Sequence, residues 1–266
     1  ITWLSVQLAI QSGWQSVIMS AETPSEIHLL QMAAIYTDAP FRGRNKMSKD
    51  QLDIAMEWIQ NHYTFIDDSD TDIDSVLARA SVSIMRNGAR IIQIDPYNFL
   101  TSGASAEENH QAINKMLVNL KRFSREHDVA VWLVAHPKKM LRGANGSVPP
   151  PGGYDISGSA SFFNVPDAGI TVSRGEPGTS VITNWKARFP WIGSLGECTL
   201  AYDEFTGVFS GLPNAGFWGG NVKLVNGGLD VTEEEPIKKI KKITRRETTG
   251  PEGTVVESPG LDFGAF

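Results

Sequence analysis

One cysteine, Cys198, stands in 266 residues, which excludes an internal disulfide and a zinc cluster built from cysteines. No apolar run approaches the ~20 residues that a membrane-spanning helix needs, and the opening residues do not read as a signal peptide. An intracellular setting with no membrane attachment is therefore expected. Positive charge is in the minority, with 24 Lys and Arg against 30 Asp and Glu and a net charge of −6. That balance argues against a general nucleic-acid coat protein and leaves room for a local basic path. Nowhere does G-x-x-x-x-G-K-[ST] occur, so these residues hold no P-loop. The first residue is Ile, and Trp3, Leu4, Leu8 and Ala9 already share a helical face. The chain is expected to begin part-way through a domain, with the P-loop upstream.

What is present is ordinary for a globular protein, with 41% hydrophobic residues, and it is organised around the stretch 90–136. Ile91, Ile92 and Ile94 form a short apolar run ending in Asp95. Val129, Val131, Trp132, Leu133 and Val134 form a second, ending at His136. Runs of this kind fit strands buried on both faces of a parallel sheet. Between them Ser105 and Glu108 have capping-box spacing, and Ile113, Met116, Leu117, Leu120 and Phe123 recur at helical spacing. The result is a β-α-β unit with polar residues at the carboxyl ends of both strands, the edge where open α/β sheets bind ligands. Asp95 there either begins a turn before Pro96 or offers a carboxylate to a Mg²⁺-nucleotide. His136 either caps its strand or senses a phosphate.

Earlier in the chain, a helix to about Gln11 with Gly13 as its C-cap leads into a strand at Val17 to Met19. Glu22 follows that strand, and Thr23, Pro24 and Glu26 read as N-cap, N1 proline and capping-box acid of the next helix. Parallel strands would bring Glu22 to the same edge as Asp95. After the basic loop of residues 41–49, Ser48 and Gln51 open another helix. A strand at 63–67 and a helix from Thr71 to Asn87, stopped by Gly88, complete the alternation. Strands and helices in alternation predict an α/β fold with a mostly parallel central sheet and helices on both faces. Beyond His136 comes a long Pro-, Gly- and Lys-rich loop, then the small-residue turn DISGSASFFN, strands at 170–173 and 181–187, and a hairpin from Leu200 to Phe209 turning at Thr206 and Gly207. From Gly211 periodicity is lost, and residues 211–266 read as a low-complexity, flexible tail. Its basic run KKIKKITRR is either solvated or available to nucleic acid or a partner.

Taken together, SAET with Glu22, IIQIDPYN with Asp95, VWLVAHPKK with His136, YDISGSA with Gly158 and WKARF with Lys186 and Arg188 resemble the RecA-like motor domain of Twinkle-like and DnaB-like ring helicases. The helicase half of phage primase-helicases is the nearest likeness, over residues 1–210. The resemblance implies a RecA-like P-loop NTPase core using ATP or another NTP with Mg²⁺. It implies a homo-oligomeric ring, hexameric in the first expectation with a heptamer left open, acting on single-stranded DNA. Replisome partners could dock through the tail, and the setting would be cytoplasm or nucleoid, including that of a phage-infected bacterium. By the same resemblance Glu22 polarises the attacking water, Asp95 is the Walker B acid on Mg²⁺, and His136 senses the γ-phosphate. Arg188 is the arginine finger reaching the next subunit's nucleotide, with Lys186 beside it. Lys138, Lys139, Gly158, Ser159 and Asn164 face single-stranded DNA. These roles suit phosphoryl transfer, which depends on positioning and charge neutralisation. Lys186 and Arg188 alternate along a strand and so share a face. Phe162 and Phe163, where relatives carry basic residues, either stack on bases or pack in the core. A non-hydrolysing remnant that binds DNA or joins a ring, and a RecA-like recombination or signalling ATPase, are the competing readings.

Overall fold

The computed structural model describes residues 1–66, 72–97, 106–140, 148–157, 160–191 and 193–212, with short strands at 223–224, 246–249 and 255–258. The chain divides into two units, 1–229 and 230–266.

The first unit opens with α1 (Thr2–Ser12), β1 (Ser16–Ser20), α2 (Ser25–Thr37), α3 (Lys49–His62), β2 (Tyr63–Ile66), α4 (Ile73–Asn87), β3 (Ile91–Asp95), α5 (Ala106–His127) and β4 (Ala130–Leu133). The four strands are all parallel, in the order β2-β1-β3-β4. Local chemistry sets most boundaries. Ser48 and Gln51 close a reciprocal capping box on α3. The Asp72 carboxylate accepts the Ser75 N–H at the start of α4. Gly13 and Gly88 end α1 and α4 in the left-handed conformation that costs glycine nothing. At α2 the expectation is off by one residue: Pro24 itself is the N-cap, no side chain caps the helix, and Thr23 lies outside it. On α1 the buried face is Ser5, Val6 and Ala9, and Leu4 is exposed. The capping box expected at Ser105 lies outside the described residues.

Burial on both faces explains why β1 and β3 read as continuous apolar runs. Val17, Met19, Ile92 and Ile94 pack against Val76, Leu77 and Ala80 of α4 and Ile113, Met116, Leu117 and Leu120 of α5. Ile18 points the other way, into a second cluster with Val6 of α1, Met32 to Ile35 of α2, and Ala55 and Ile59 of α3. Period-two alternation thus feeds two separate cores. β4 differs from expectation. It stops at Leu133 rather than His136, and all four of its residues are only half-buried, because it is the edge strand with a partner on one side alone.

Past β4 a bridge pairs Pro137 with Ile156. A 3-10 turn (Gly153–Asp155) and the short helix α6 (Ser161–Asn164) follow. A second, antiparallel sheet is built from β5 (Ala168–Arg174), β6 (Thr179–Ala187), β7 (Gly196–Tyr202) and β8 (Phe209–Ser210), with β9 (Lys223–Leu224) also on β7. Gly207, at φ 75°, turns β7 into β8, its N–H donating to the Asp203 carbonyl at 2.7 Å. β6 is bulged: Gly169 pairs with Lys186 and Ile170 with Asn184, leaving Trp185 as the extra residue. In the second unit β10 (Arg246–Thr249) and β11 (Val255–Ser258) pair antiparallel.

Candidate functional site

The parallel sheet brings three sequence-distant polar groups to one edge. Ser20 at the end of β1 is in register with Asp95 at the end of β3, and the Ala21 N–H donates to the Asp95 carbonyl at 3.0 Å. Glu22 follows directly. On the other side Val134 N–H donates to the Ile94 carbonyl at 2.9 Å and Tyr97 N–H to the Val134 carbonyl at 3.0 Å. That ladder delivers His136 to the same edge, two residues further on. His136 Nε2 lies 3.2 Å from Glu22 Oε2, with both side chains about half-exposed (51% and 56%).

Asp95 sits deeper. Burial first, and the neighbouring Glu22 charge second, hold its carboxyl above the ordinary range, while the amino terminus and His136 pull the other way. Two like charges, one of them desolvated, are costly side by side unless a cation comes between them. An open cleft of about 540 Å³ lies beside Glu22, lined also by Ser20, Ser25, Glu26, Phe65 and Ile66.

Among the described residues no group of three or more His, Cys, Asp or Glu is arranged to hold a metal ion alone. A lone strand-end carboxylate with a raised pKa still fits Mg²⁺ in one specific way. Mg²⁺ is commonly held by one or two carboxylates together with substrate phosphates, so Asp95 would supply the protein's share.

Lys186 and Arg188 form a second group, bonded to the chain around α6 rather than to Glu22, Asp95 or His136. Lys186 Nζ donates to the carbonyls of Phe163 and Asn164 and lies 5.1 Å from the centre of the Phe163 ring. Burial, then the Arg188 and Lys121 charges, lower its pKa. Arg188 Nη2 donates to the carbonyls of Asn164 at 2.6 Å, Val165 at 3.0 Å and Pro166 at 3.3 Å, and Nε pairs with Asp167 at 2.7 Å. The two side chains do share a face, as their alternation requires.

Of the residues assigned to DNA, Lys138 donates its backbone N–H to the Asp155 carbonyl at 2.7 Å and its ammonium to the Tyr154 carbonyl at 3.3 Å. Lys139 is exposed, and so is Asn164, the last residue of α6, whose carbonyl accepts from Lys186 and Arg188. Gly158 and Ser159 lie outside the described residues. Phe162 is a core residue, 3% exposed and packed on Tyr97 at 4.7 Å. Phe163 is stacked between Tyr154 at 4.2 Å and Trp185 at 5.7 Å.

Sequence reasoning missed Lys121 and Asp167, which hold the Arg188 side of this group, and the Tyr154–Phe163–Trp185 stack. Tyr154 and Trp185 were visible inside YDISGSA and WKARF. Lys121 carries no local signal, being one charged residue among several on an amphipathic helix.

Residues 7–140, half of the chain, match the AAA domain family. The chain is 33% identical over 217 residues to the Twinkle homolog protein, chloroplastic/mitochondrial, of Arabidopsis thaliana; the match covers 76% of this chain and 30% of that protein. Two solved structures share the fold at 18% identity. The ATPase domain of G40P superposes with a TM-score of 0.66 over 80% of each chain. A DnaB-like replicative helicase, solved with its interactions with primase, superposes with a TM-score of 0.63 over 76% of this chain and 52% of its own. The chain belongs to the AAA domain family. Its sequence is similar to that Twinkle homologue, and its fold is the RecA-like α/β fold of those two ATPase structures. Such domains use a nucleotide and Mg²⁺. Among the described residues no helix is long and apolar enough to cross a membrane.

Proposed function

We propose that this chain is the ATP-driven motor of a ring-forming replicative helicase that moves along single-stranded DNA. The observation that carries the reading is the meeting of Glu22, Asp95 and His136 at the carboxyl edge of the parallel sheet. Asp95 would hold Mg²⁺ together with the nucleotide's phosphates, and the metal would neutralise the charge that builds up as the terminal phosphoryl group leaves. Glu22 accepts a hydrogen bond from the attacking water and aims its lone pair. His136, in contact with Glu22, changes partner when the terminal phosphate is present or absent, and the segment beyond it continues through Pro137 to Lys138 and Lys139. Those two lysines, Gly158, Ser159 and Asn164 are the residues assigned to the DNA strand. Arg188, with Lys186 beside it, meets the nucleotide of the next subunit, so that hydrolysis depends on assembly. Cytoplasm or nucleoid, including that of a phage-infected bacterium, is the proposed setting, and the tail beyond residue 210 is the proposed contact with replisome partners.

Trans complementation tests the assembly step. Arg188→Ala subunits keep Glu22, and Glu22→Gln subunits keep Arg188. In a chain carrying a P-loop strand ahead of Ile1, mixtures of the two should regain DNA-stimulated hydrolysis at interfaces that join the intact halves. If no mixture exceeds either variant alone, the in-trans role is wrong. The 266 residues by themselves, with no phosphate-binding lysine loop, should hydrolyse ATP negligibly with or without DNA. Substantial turnover would mean that the phosphates bind elsewhere than proposed.

A further inference from the structure

The end of β6 is fastened to the helical layer through one carboxylate. Ala168 pairs with Ala187 at the end of the β5–β6 ladder, which sets Asp167 opposite Arg188. Their backbones bond directly, Arg188 N–H to the Asp167 carbonyl at 2.7 Å. Their side chains bond as well, Arg188 Nε to Asp167 Oδ1 at 2.7 Å. The same Oδ1 accepts from Lys121 Nζ at 2.7 Å, and Lys121 also donates to the Val165 carbonyl at 3.0 Å. Lys121 belongs to α5, whose neighbouring residues Met116, Leu117, Leu120 and Phe123 are buried against the parallel sheet. α5 and α6 are further joined by Ser161 Oγ donating to Asn114 Oδ1 at 3.0 Å and by the buried Phe162.

We propose that Asp167, held by Lys121, is the positioning residue for Arg188. It orients the guanidinium relative to the parallel sheet of its own subunit, so that Arg188 is presented to the neighbour at a fixed place. The inference rests on the reading of Arg188 as an arginine finger. A guanidinium on an unbraced strand end would sweep through many rotamers. Bonds from Nε to a carboxylate and from Nη2 to three successive carbonyls leave it one orientation. The group is partly shielded, with Lys121 20%, Arg188 35% and Asp167 46% exposed. Burial alone would raise the Asp167 pKa, yet the Lys121 hydrogen bond and the Lys121, Arg188 and Arg125 charges hold it below the ordinary carboxylate range. Asp167 therefore stays ionised, and the brace intact, throughout neutral pH.

The test uses a P-loop-bearing chain assembled on single-stranded DNA, comparing Asp167→Asn, Asp167→Glu, Arg188→Ala and the double variant Asp167→Asn/Arg188→Ala. A finger acts in the transition state, so Asp167→Asn should lower kcat by about 10- to 100-fold with KM for ATP little changed. The double variant should be no slower than Arg188→Ala alone, and Asp167→Glu should restore part of the loss. Asp167→Asn subunits mixed with Glu22→Gln subunits should regain hydrolysis, whereas mixtures with Arg188→Ala should not, because both defects lie on the finger-donating side. Wild-type kcat in Asp167→Asn, or a double variant slower than Arg188→Ala by the full factor that Asp167→Asn costs alone, would overturn the proposal. If Arg188→Ala itself keeps wild-type turnover, the finger reading falls first. If Arg188→Ala is dead and Asp167→Asn is not, only the positioning role falls. Should Asp167→Asn fail to fold, Lys121→Gln decides by the same kinetics. A second readout needs no turnover: in the 266-residue chain, the side-chain Nε–H resonance of Arg188, identified by its loss in Arg188→Lys, should shift in Lys121→Gln if the brace exists and stay in place if it does not.

Discussion

His136 Nε2 and Glu22 Oε2 meet at 3.2 Å although 114 residues separate them in the chain. Both side chains are about half-exposed, so solvent screens the pair and its contribution to stability is under ~1 kcal/mol. Glu22→Gln should leave thermal unfolding within that margin while cutting hydrolysis by about 10²- to 10⁴-fold in a P-loop-bearing chain. Turnover within ~10-fold of wild type would remove Glu22 from the reaction.

Asp95 gives a pH signature. Its folded pKa lies above the ordinary carboxylate value through burial and the Glu22 charge. A raised carboxyl pKa means that the native state takes up its proton at higher pH than the unfolded chain does. The ionised group therefore costs stability above the folded pKa, and the cost disappears as pH falls below the ordinary range. Without nucleotide or Mg²⁺, Asp95→Asn should be more stable than wild type at neutral pH, with the gap closing as the solution is acidified. Urea midpoints across that range decide the matter, and a gap independent of pH would contradict the burial argument. The same variant should lose Mg²⁺-dependent hydrolysis.

Lys138 and Lys139 follow Pro137, the residue after His136 that is bridged to Ile156, on an exposed segment. Replacing both with Ala should weaken single-strand binding and lower the log–log salt slope by about 0.7 for each phosphate that the protein no longer neutralises. Fluorescence anisotropy at several salt concentrations measures this. An unchanged slope would mean that both lysines serve only solvent and the Tyr154 carbonyl.

Gly169 tests the bed of Trp185. A Cβ there would fall 2.2 to 2.4 Å from three carbons of the indole ring. Gly169→Ala should cost about 1–3 kcal/mol or more, and trimming the ring in Trp185→Leu should recover part of it, giving a coupling outside simple addition. Gly13→Ala is the contrast: nothing lies within 4 Å, but φ is +65°, so its cost of roughly 1 kcal/mol is conformational. Denaturant midpoints for the four variants separate the two causes. Additive effects at 169 and 185 would mean that the ring moves aside freely.

Local chemistry alone determined a large part of this protein. The Ser48–Gln51 box, the glycine stops at 13 and 88, and the doubly buried run of β3 all act within a few residues, and they were legible there. So were Glu22 and Asp95 as strand-end acids, because a polar residue after a buried run must sit at the rim of a sheet. Only the tertiary structure decided which rims adjoin. The order β2-β1-β3-β4 does not follow chain order, and it is this order that sets Glu22 beside Asp95 and makes β4 a half-buried edge ending short of His136. It also decided that Phe162 is core and that Lys186 and Arg188 close on the carbonyls of 163–166. The Lys121–Asp167–Arg188 chain of charges spans 46 residues between its first two members. The physical reason is the same in each case: periodicity and capping depend on neighbours along the chain, whereas an ion pair or a strand partner depends on which surfaces the packed cores bring together.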